Sequence, residues 1–340
     1  LDSQARPGLD LSGTPRLLGQ DAAGVFLATG DEARALTAVQ RLAAELDELV
    51  DLLLDYGPSV DDALGISLAR RCRALLGQLD LILAASSVSD SQRAHVLVQF
   101  AFVTEVQWLA DAWPATDTGI ERGNENFHAD VVSARGMCAA WLDGHPQQGQ
   151  WLATSVAEMA AFLEGYHTSS GACHESATYQ LVSLGYALQL HAAAVRHGQD
   201  GLGQLPVLRR AFEFLAATQT PPDVRCGYRM LPTLGHVTVY AWCQSLQACF
   251  AWAAQATAGT DFSRRMMRAW RRGGGHVVSL HDYQQNTIWA PPLLLLDRQL
   301  PEAAEDDDLA RSRVFEGLGA VLRAQHEDGS EGFLLAKMGP

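Results

Sequence analysis

Between residues 31 and 55 apolar side chains return every three or four positions, at Leu36, Val39, Leu42, Leu46, Leu49 and Leu53. That spacing matches the helical turn and predicts a helix buried along one stripe. Asp31 stands at its start as an N-cap, and Gly57-Pro58 ends it. Ser59 followed three residues later by Asp62 resembles a capping box and predicts a second helix over about 60–86. Ser89 with Gln92 repeats the device for a helix over about 90–112, stopped at Pro114. The same periodicity predicts helices at about 127–142, 147–166, 176–197, 204–218, 236–257 and 261–272.

Helix starts thus recur about every 25 to 40 residues without a strict sequence repeat, so tetratricopeptide or ankyrin arrays fit poorly. Segments 152–163, 181–195 and 239–254 are apolar on more than one side. Such helices pack on several faces, which a two-layer ring of helical hairpins explains better than a single-layer solenoid. The fold expected is mainly α, an incomplete (α/α) toroid over residues 1–300. The pattern then changes. Residues 301–312 form an acidic linker containing Glu305-Asp306-Asp307-Asp308. Val314, Leu318, Ala320, Val321 and Leu322 predict one strand, Asp328-Gly329 a turn, and Phe333-Leu334-Leu335-Ala336 a second strand. Residues 313–340 then open an antiparallel β-domain whose remainder lies beyond this chain.

Composition narrows the picture. The 340 residues are 48% apolar and 19% charged, enough to bury a large core and to exclude wholesale disorder. A net charge of −14 argues against broad nucleic-acid binding. No run of 18 or more uncharged apolar residues occurs, so no membrane span is expected. Lys337 is the only lysine, a bias expected of a GC-rich genome rather than a functional signal. The six cysteines form no C-x-x-C pair, which disfavours a zinc knuckle or thioredoxin-type motif. Leu1 is not a start methionine and no signal-peptide pattern follows it, so the chain reads as the middle of a longer protein.

Two polar clusters stand out. Arg122-Gly123-Asn124-Glu125-Asn126-Phe127-His128-Ala129-Asp130 leads from a loop into a helix, and Gly171-Ala172-Cys173-His174-Glu175-Ser176-Ala177-Thr178-Tyr179 does the same. In a helical toroid, loops and helix starts on one rim line the central cleft, so amides, His and Tyr there are placed to meet a ligand. A third group, Arg225, Tyr228, Arg229 and His236, surrounds Gly227 and the Leu231-Pro232 turn. With Arg264, Arg265, Arg268, Arg271 and Arg272 it makes a positive region opposed by one acid, Asp261. Its loop members are cleft candidates that would attract a polyanion, while Arg264–Arg272 reads better as an exposed helix face.

The Asn-x-x-x-His segment opening one helix, the Glu-x-x-x-Tyr segment opening another, and the strand-like runs Arg313–Leu322 and Phe333–Pro340 together resemble the heparinase II/III-like polysaccharide lyases, which include alginate and glycosaminoglycan lyases. The resemblance covers most of the chain. It implies an (α/α) toroid followed by a β-sandwich, and β-elimination on a uronic-acid polymer, an anionic polysaccharide. It implies that His128 matches the carboxylate-holding His, Asn124 or Asn126 the neighbouring Asn, and Tyr179 the proton-transferring Tyr. Phe127 separates Asn126 from His128, where many members place Asn and His side by side. Glu175, Arg225, Tyr228, Arg229 and His236 would contact substrate. The resemblance implies no cofactor in this chain, leaves room for a structural metal in the rest of the β-domain, and implies a periplasmic or secreted location.

The chemistry accounts for these residue types. Elimination removes the C5 proton of a uronate and expels the 4-O-linked sugar. That proton becomes acidic only when the adjacent carboxylate is neutralised, and Asn and His can donate hydrogen bonds to it. A phenol titrates near 10 in water, so as a base it needs nearby positive charge or strong donors, whereas as an acid it can protonate the leaving oxygen unaided. Taken without the resemblance, His128 packs or caps at a helix start, Tyr179 is equally a core tyrosine, and Glu175 is a residue favoured by the helix dipole. The acidic run 305–308 reads as a solvated linker rather than a metal motif. Two other functions stay open: an α/α-barrel glycoside hydrolase recruiting Asp130 and Glu175 as its two carboxylic acids, and a non-catalytic glycan-binding member of the fold.

Overall fold

The computed structural model describes residues 29–56, 67–83, 85–109, 125–173, 175–199, 201–203, 205–225, 227–232, 247–275 and 311–337, with Ala23, Phe26 and Ala303. Among them, nine helices precede three strands: α1 (Glu32–Tyr56), α2 (Ser67–Ile82), α3 (Asp90–Gln107), α4 (Glu125–Trp141), α5 (Gln148–Tyr166), α6 (Ala177–Arg196), α7 (Pro206–Thr218), α8 (Ala248–Ala256), α9 (Asp261–Arg272), β1 (Arg313–Phe315), β2 (Gly319–Gln325) and β3 (Glu331–Lys337). The chain gathers into two compact units, Leu1–Leu152 and Ala153–Pro340. The expected Gly57-Pro58 stop, the Ser59/Asp62 capping box, the start of the 236–257 helix and the acidic run Glu305–Asp308 lie outside the described residues.

In the first unit the α1 stripe is the core. Val39, Leu42, Leu46, Leu49 and Leu53 are buried together with Leu75 and Leu79 of α2 and Val96, Phe100 and Val103 of α3. Each such side chain contributes on the order of 1.5–3 kcal/mol by leaving water. The α3 capping box is present: the Gln92 N–H donates to Ser89 Oγ at 3.3 Å, and the Ser89 N–H donates to Gln92 Oε1 at 3.0 Å. Helix α3 ends at Gln107 rather than near 112, with Trp108 as its C-cap. Glu32 at the start of α1 accepts the Ser87 N–H at 2.8 Å, so the turn before α3 is tied to the first turn of α1.

In the second unit α6 is buried around most of its circumference, through Leu181, Leu184, Tyr186, Ala187, Leu188 and Leu190. It packs on α7 and α8, and α9 packs on both of those. The three strands form one antiparallel sheet in the order β1-β2-β3. This corrects the single strand expected through Val314–Leu322. The chain turns at Glu316–Leu318, where the Leu318 N–H donates to the Phe315 carbonyl at 3.1 Å and Gly317 takes φ +79°. Gly319 follows at φ +151°, and a Cβ there would lie 1.8 Å from the Ala336 carbonyl oxygen of β3. Two glycines in left-handed or extended-positive backbone thus split an apolar run into two strands.

The sheet is fastened to the helices of its unit. Phe315 packs edge-on against Phe214 of α7, with ring centroids 4.9 Å apart. Glu331 of β3 pairs with both Arg229 and Arg323, and the Arg323 guanidinium also donates to the Ala217 carbonyl at 2.8 Å. Ser170 Oγ donates to the Glu316 carbonyl at 2.8 Å, tying the β1–β2 turn to the loop before α6.

Candidate active site

The first polar cluster enters α4, which begins at Glu125. Asn126 and His128 are both buried, and Phe127 is half-buried. Positions two apart on a helix point to different sides, so Asn126 and His128 do not share a face of α4. Asn124 lies outside the described residues. Burial, and then the positive charge of Arg135, push the His128 imidazole down to about 4. It is therefore neutral at physiological pH, with one ring N–H to donate and one ring nitrogen to accept.

Arg135 belongs to an aromatic run that sequence inspection missed. Its guanidinium stands 4.7 Å over the Trp108 ring, Trp108 stacks on Trp151 at 5.5 Å, and Trp151 stacks on His145 at 4.7 Å. The available signal was its position seven residues after His128, two turns along the same face of α4.

Asp130 is committed elsewhere. Its carboxylate pairs with Arg73 of α2, and the same guanidinium donates to the Asp130 carbonyl at 2.5 Å. The two side chains are 3% and 1% exposed, so Asp130 pins α4 to α2 and is closed to solvent.

The second cluster belongs to the other unit. The loop between α5 and α6 doubles back through a bridge between His167 and Cys173. Gly171 makes this turn at φ +87°, and a Cβ there would lie 2.3 Å from the Arg210 carbonyl oxygen. Gln180 of α6 holds the loop, donating to the Gly171 carbonyl at 2.6 Å and accepting the Cys173 N–H at 3.2 Å. Ser176 caps α6 by accepting the Tyr179 N–H at 3.2 Å.

Two phenols flank this loop. Tyr166, at the end of α5, is 3% exposed and donates to Glu175 Oε2 at 3.0 Å. Burial drives its hydroxyl far above the usual phenol range, and Cys173 and Glu175 push the same way, so it stays protonated. Burial also lifts the Cys173 thiol to about 11, which leaves it un-ionised. Tyr179, in the first turn of α6, is half-buried and is the more accessible of the two rings. Tyr166 holds Glu175 through its hydroxyl. His174 lies outside the described residues.

The third group is divided. Arg225 is exposed and forms a fork with Asp223, at 2.8 Å through Nε and 2.5 Å through Nη2. That contact holds the Asp223 carboxyl down at about 2. Arg229 points the other way, donating to the Thr220 carbonyl at 3.0 Å and pairing with Glu331. Tyr228 is half-buried, and its carbonyl accepts the Asp223 N–H at 3.0 Å. His236 lies outside the described residues. Arg264 and Arg265 pair with Asp261 and Glu213. Cys72, Cys138, Cys173 and Cys249 are buried and stand outside any disulfide. Among the described residues no group of three or more His, Cys, Asp or Glu is arranged to hold a metal ion.

No family model matches the sequence, and no curated protein matches it. Among solved structures, the crystal structure of a mutant of the heparan sulfate lyase HepC from Pedobacter heparinus is similar, with a TM-score of 0.64 and 12% sequence identity. The match covers 100% of this chain and 47% of that one, so this chain spans about half the length of the lyase. The likeness shows the fold, mainly helical with an antiparallel sheet at the C-terminal end, the class expected of an (α/α) toroid.

Proposed function

We propose that this chain is part of a polysaccharide lyase that cleaves an anionic, uronic-acid-containing polysaccharide by β-elimination. The likeness to HepC over the whole chain carries the reading. His128 and Tyr179, in the first turns of α4 and α6, supply the residue types the reaction needs. In this reading the uronate carboxylate accepts hydrogen bonds from the neutral His128 ring and from Asn124, since Asn126 is on another side of α4. Those bonds strengthen as charge moves from C5 onto the carboxylate, which lowers the barrier. Tyr179 as phenolate takes the C5 proton, the C5–H electron pair forms the C4=C5 double bond, and the C4–O bond breaks. The phenol so formed then gives that proton to the departing oxygen, which returns Tyr179 to its starting state. Glu175, aligned by Tyr166, and Arg225 contact the sugar. The protein would act where such polymers occur, in the periplasm or outside the cell. Among the described residues no helix is long and apolar enough to cross a membrane.

The hydrolase alternative requires two available carboxyl groups, and the Asp130 carboxylate is closed off by Arg73. Incubating the protein with heparan-type glycan and alginate separates the readings. A lyase releases products that absorb in the ultraviolet through the new C4=C5 bond. Cleavage without that absorption identifies a hydrolase, and binding without cleavage identifies a non-catalytic glycan binder.

A further inference from the structure

A cleft of about 500 Å³ opens between the last turns of α6, the first turn of α7 and the end of α8. Its volume suits a small ligand. Tyr179 lies in the first turn of α6 and His191 of the cleft is twelve positions further on, a separation of roughly 18 Å along the axis.

The cation in this cleft has an unusual setting. Arg209 is half-buried, and its guanidinium stands 5.8 Å from the centre of the Phe262 ring. Among the described residues no carboxylate pairs with it, and its Nε is buried without a hydrogen-bond partner. Glu213, one turn along α7, is taken by Arg265. Helix α7 has no acid in its first turn, and its N-cap, Leu205, provides no side-chain acceptor. Arg209 therefore adds a positive charge at the positive end of a helix dipole, an arrangement that disfavours folding unless an anion relieves it. Among the described residues lining the cleft, none is an acid.

The remaining wall supplies a second kind of contact. Gln255 lines the cleft, and its side-chain amide makes no hydrogen bond among the described residues. Val195, Ala192, Ala256 and the mostly buried Trp252 offer apolar surface beside it. A bare inorganic ion would use the guanidinium and leave that surface wet. A sugar ring carrying a carboxylate or sulfate would use all three: ion pair, amide and apolar wall.

We propose that this cleft is a second glycan-binding site, distinct from the Tyr179 end of α6, that takes an anionic sugar unit through Arg209 and Gln255. The choice of a sugar as the carrier of the anion rests on the polysaccharide-lyase reading; the anion preference rests on Arg209 alone.

The test is binding to the chain of a sulfated, uronate-containing heparan-type disaccharide, of maltose and of inorganic sulfate. Calorimetry gives the affinities, and the Trp252 indole signal in NMR reports the cleft. The variants are Arg209→Gln and the cleft-filling Ala256→Trp, each checked by its thermal melt. The acidic disaccharide should shift the Trp252 signal and maltose should not. Arg209→Gln should weaken that shift on the order of tenfold, and Ala256→Trp should abolish it. An unshifted Trp252 signal in the wild-type chain, or an equal response in both folded variants, overturns the proposal. Sulfate binding as tightly as the disaccharide overturns the sugar assignment. Turnover is read separately. Loss of ultraviolet-absorbing product with Arg209-dependent binding intact would sink only the lyase reading, and normal turnover with Arg209-independent binding would sink only this one.

Discussion

Replacing Glu331 by Gln removes one negative charge from between two guanidinium groups. The side chains of Arg323, Arg229 and Glu331 are 2%, 12% and 8% exposed, so little solvent can screen the uncompensated cations. Removing one partner of a buried pair destabilises by about 3–5 kcal/mol, because the remaining charge stays desolvated. For a unit of this size about 1 kcal/mol corresponds to about 2–4 °C, so the melting transition of the 153–340 unit should fall by about 6–20 °C at neutral pH. The pH dependence provides a sharper check. The two arginines outweigh burial and hold the Glu331 carboxyl below its ordinary value of 4.5. A depressed carboxyl stabilises the fold above its unfolded pKa, and that stabilisation is lost as pH falls through the folded pKa. Scanning calorimetry should therefore find wild type and Glu331→Gln converging in acid, below 4.5, with hydrogen exchange of β2 and β3 amides locating the loss. A variant that melts with the wild type at neutral pH would refute the reasoning. So would a difference that persists undiminished in strong acid.

Tyr179→Phe keeps the ring and deletes the hydroxyl, so kcat for ultraviolet-absorbing product should fall on the order of 10²–10⁴-fold with little change in melting. The His128 ring should titrate by NMR near 4 rather than 6.5. Because the unfolded chain binds that proton first, stability should drop as pH falls from 6.5 toward 4, and His128→Gln should remove that part of the slope. Gly171→Ala meets the Arg210 carbonyl oxygen and strains a left-handed turn, so it should destabilise its unit by on the order of 1–3 kcal/mol or more, read as a lower melting temperature. Cys173 should resist thiol reagents in the folded protein and react only on unfolding, because its thiol is buried and raised to about 11.

What was legible in the sequence was local. The α1 stripe from Val39 to Leu53 and the Ser89/Gln92 capping box depend on neighbours within one or two turns, and the structure contains both. The β1–β2 turn was missed because Val314 to Leu322 is apolar enough to read as continuous, and only the backbone angles of Gly317 and Gly319 reveal the break. Partners distant in sequence were missed as well. Arg73 is 57 positions from Asp130, and Glu331 is 102 positions from Arg229, too far for any periodicity to pair them. The candidate site was legible in its residue types, since helix starts and loops collect polar side chains. The neutral state of His128 and the Tyr166–Glu175 hydrogen bond depend on burial, which a linear pattern does not encode.

The single lysine makes the sheet chemically addressable. Lys337 is exposed at the end of β3 and lies opposite Gly319 in the β2–β3 register. An amine-directed acylating dye applied at high pH therefore places its one side-chain label on this chain beside the β1–β2 turn, which Ser170 ties to the loop before α6. Emission from that dye would follow attachment and release of the sheet as a spectroscopic signal, with no engineered cysteine. A lysine-specific protease would likewise have a single target in this chain, so residues 1–337 would survive digestion as one peptide.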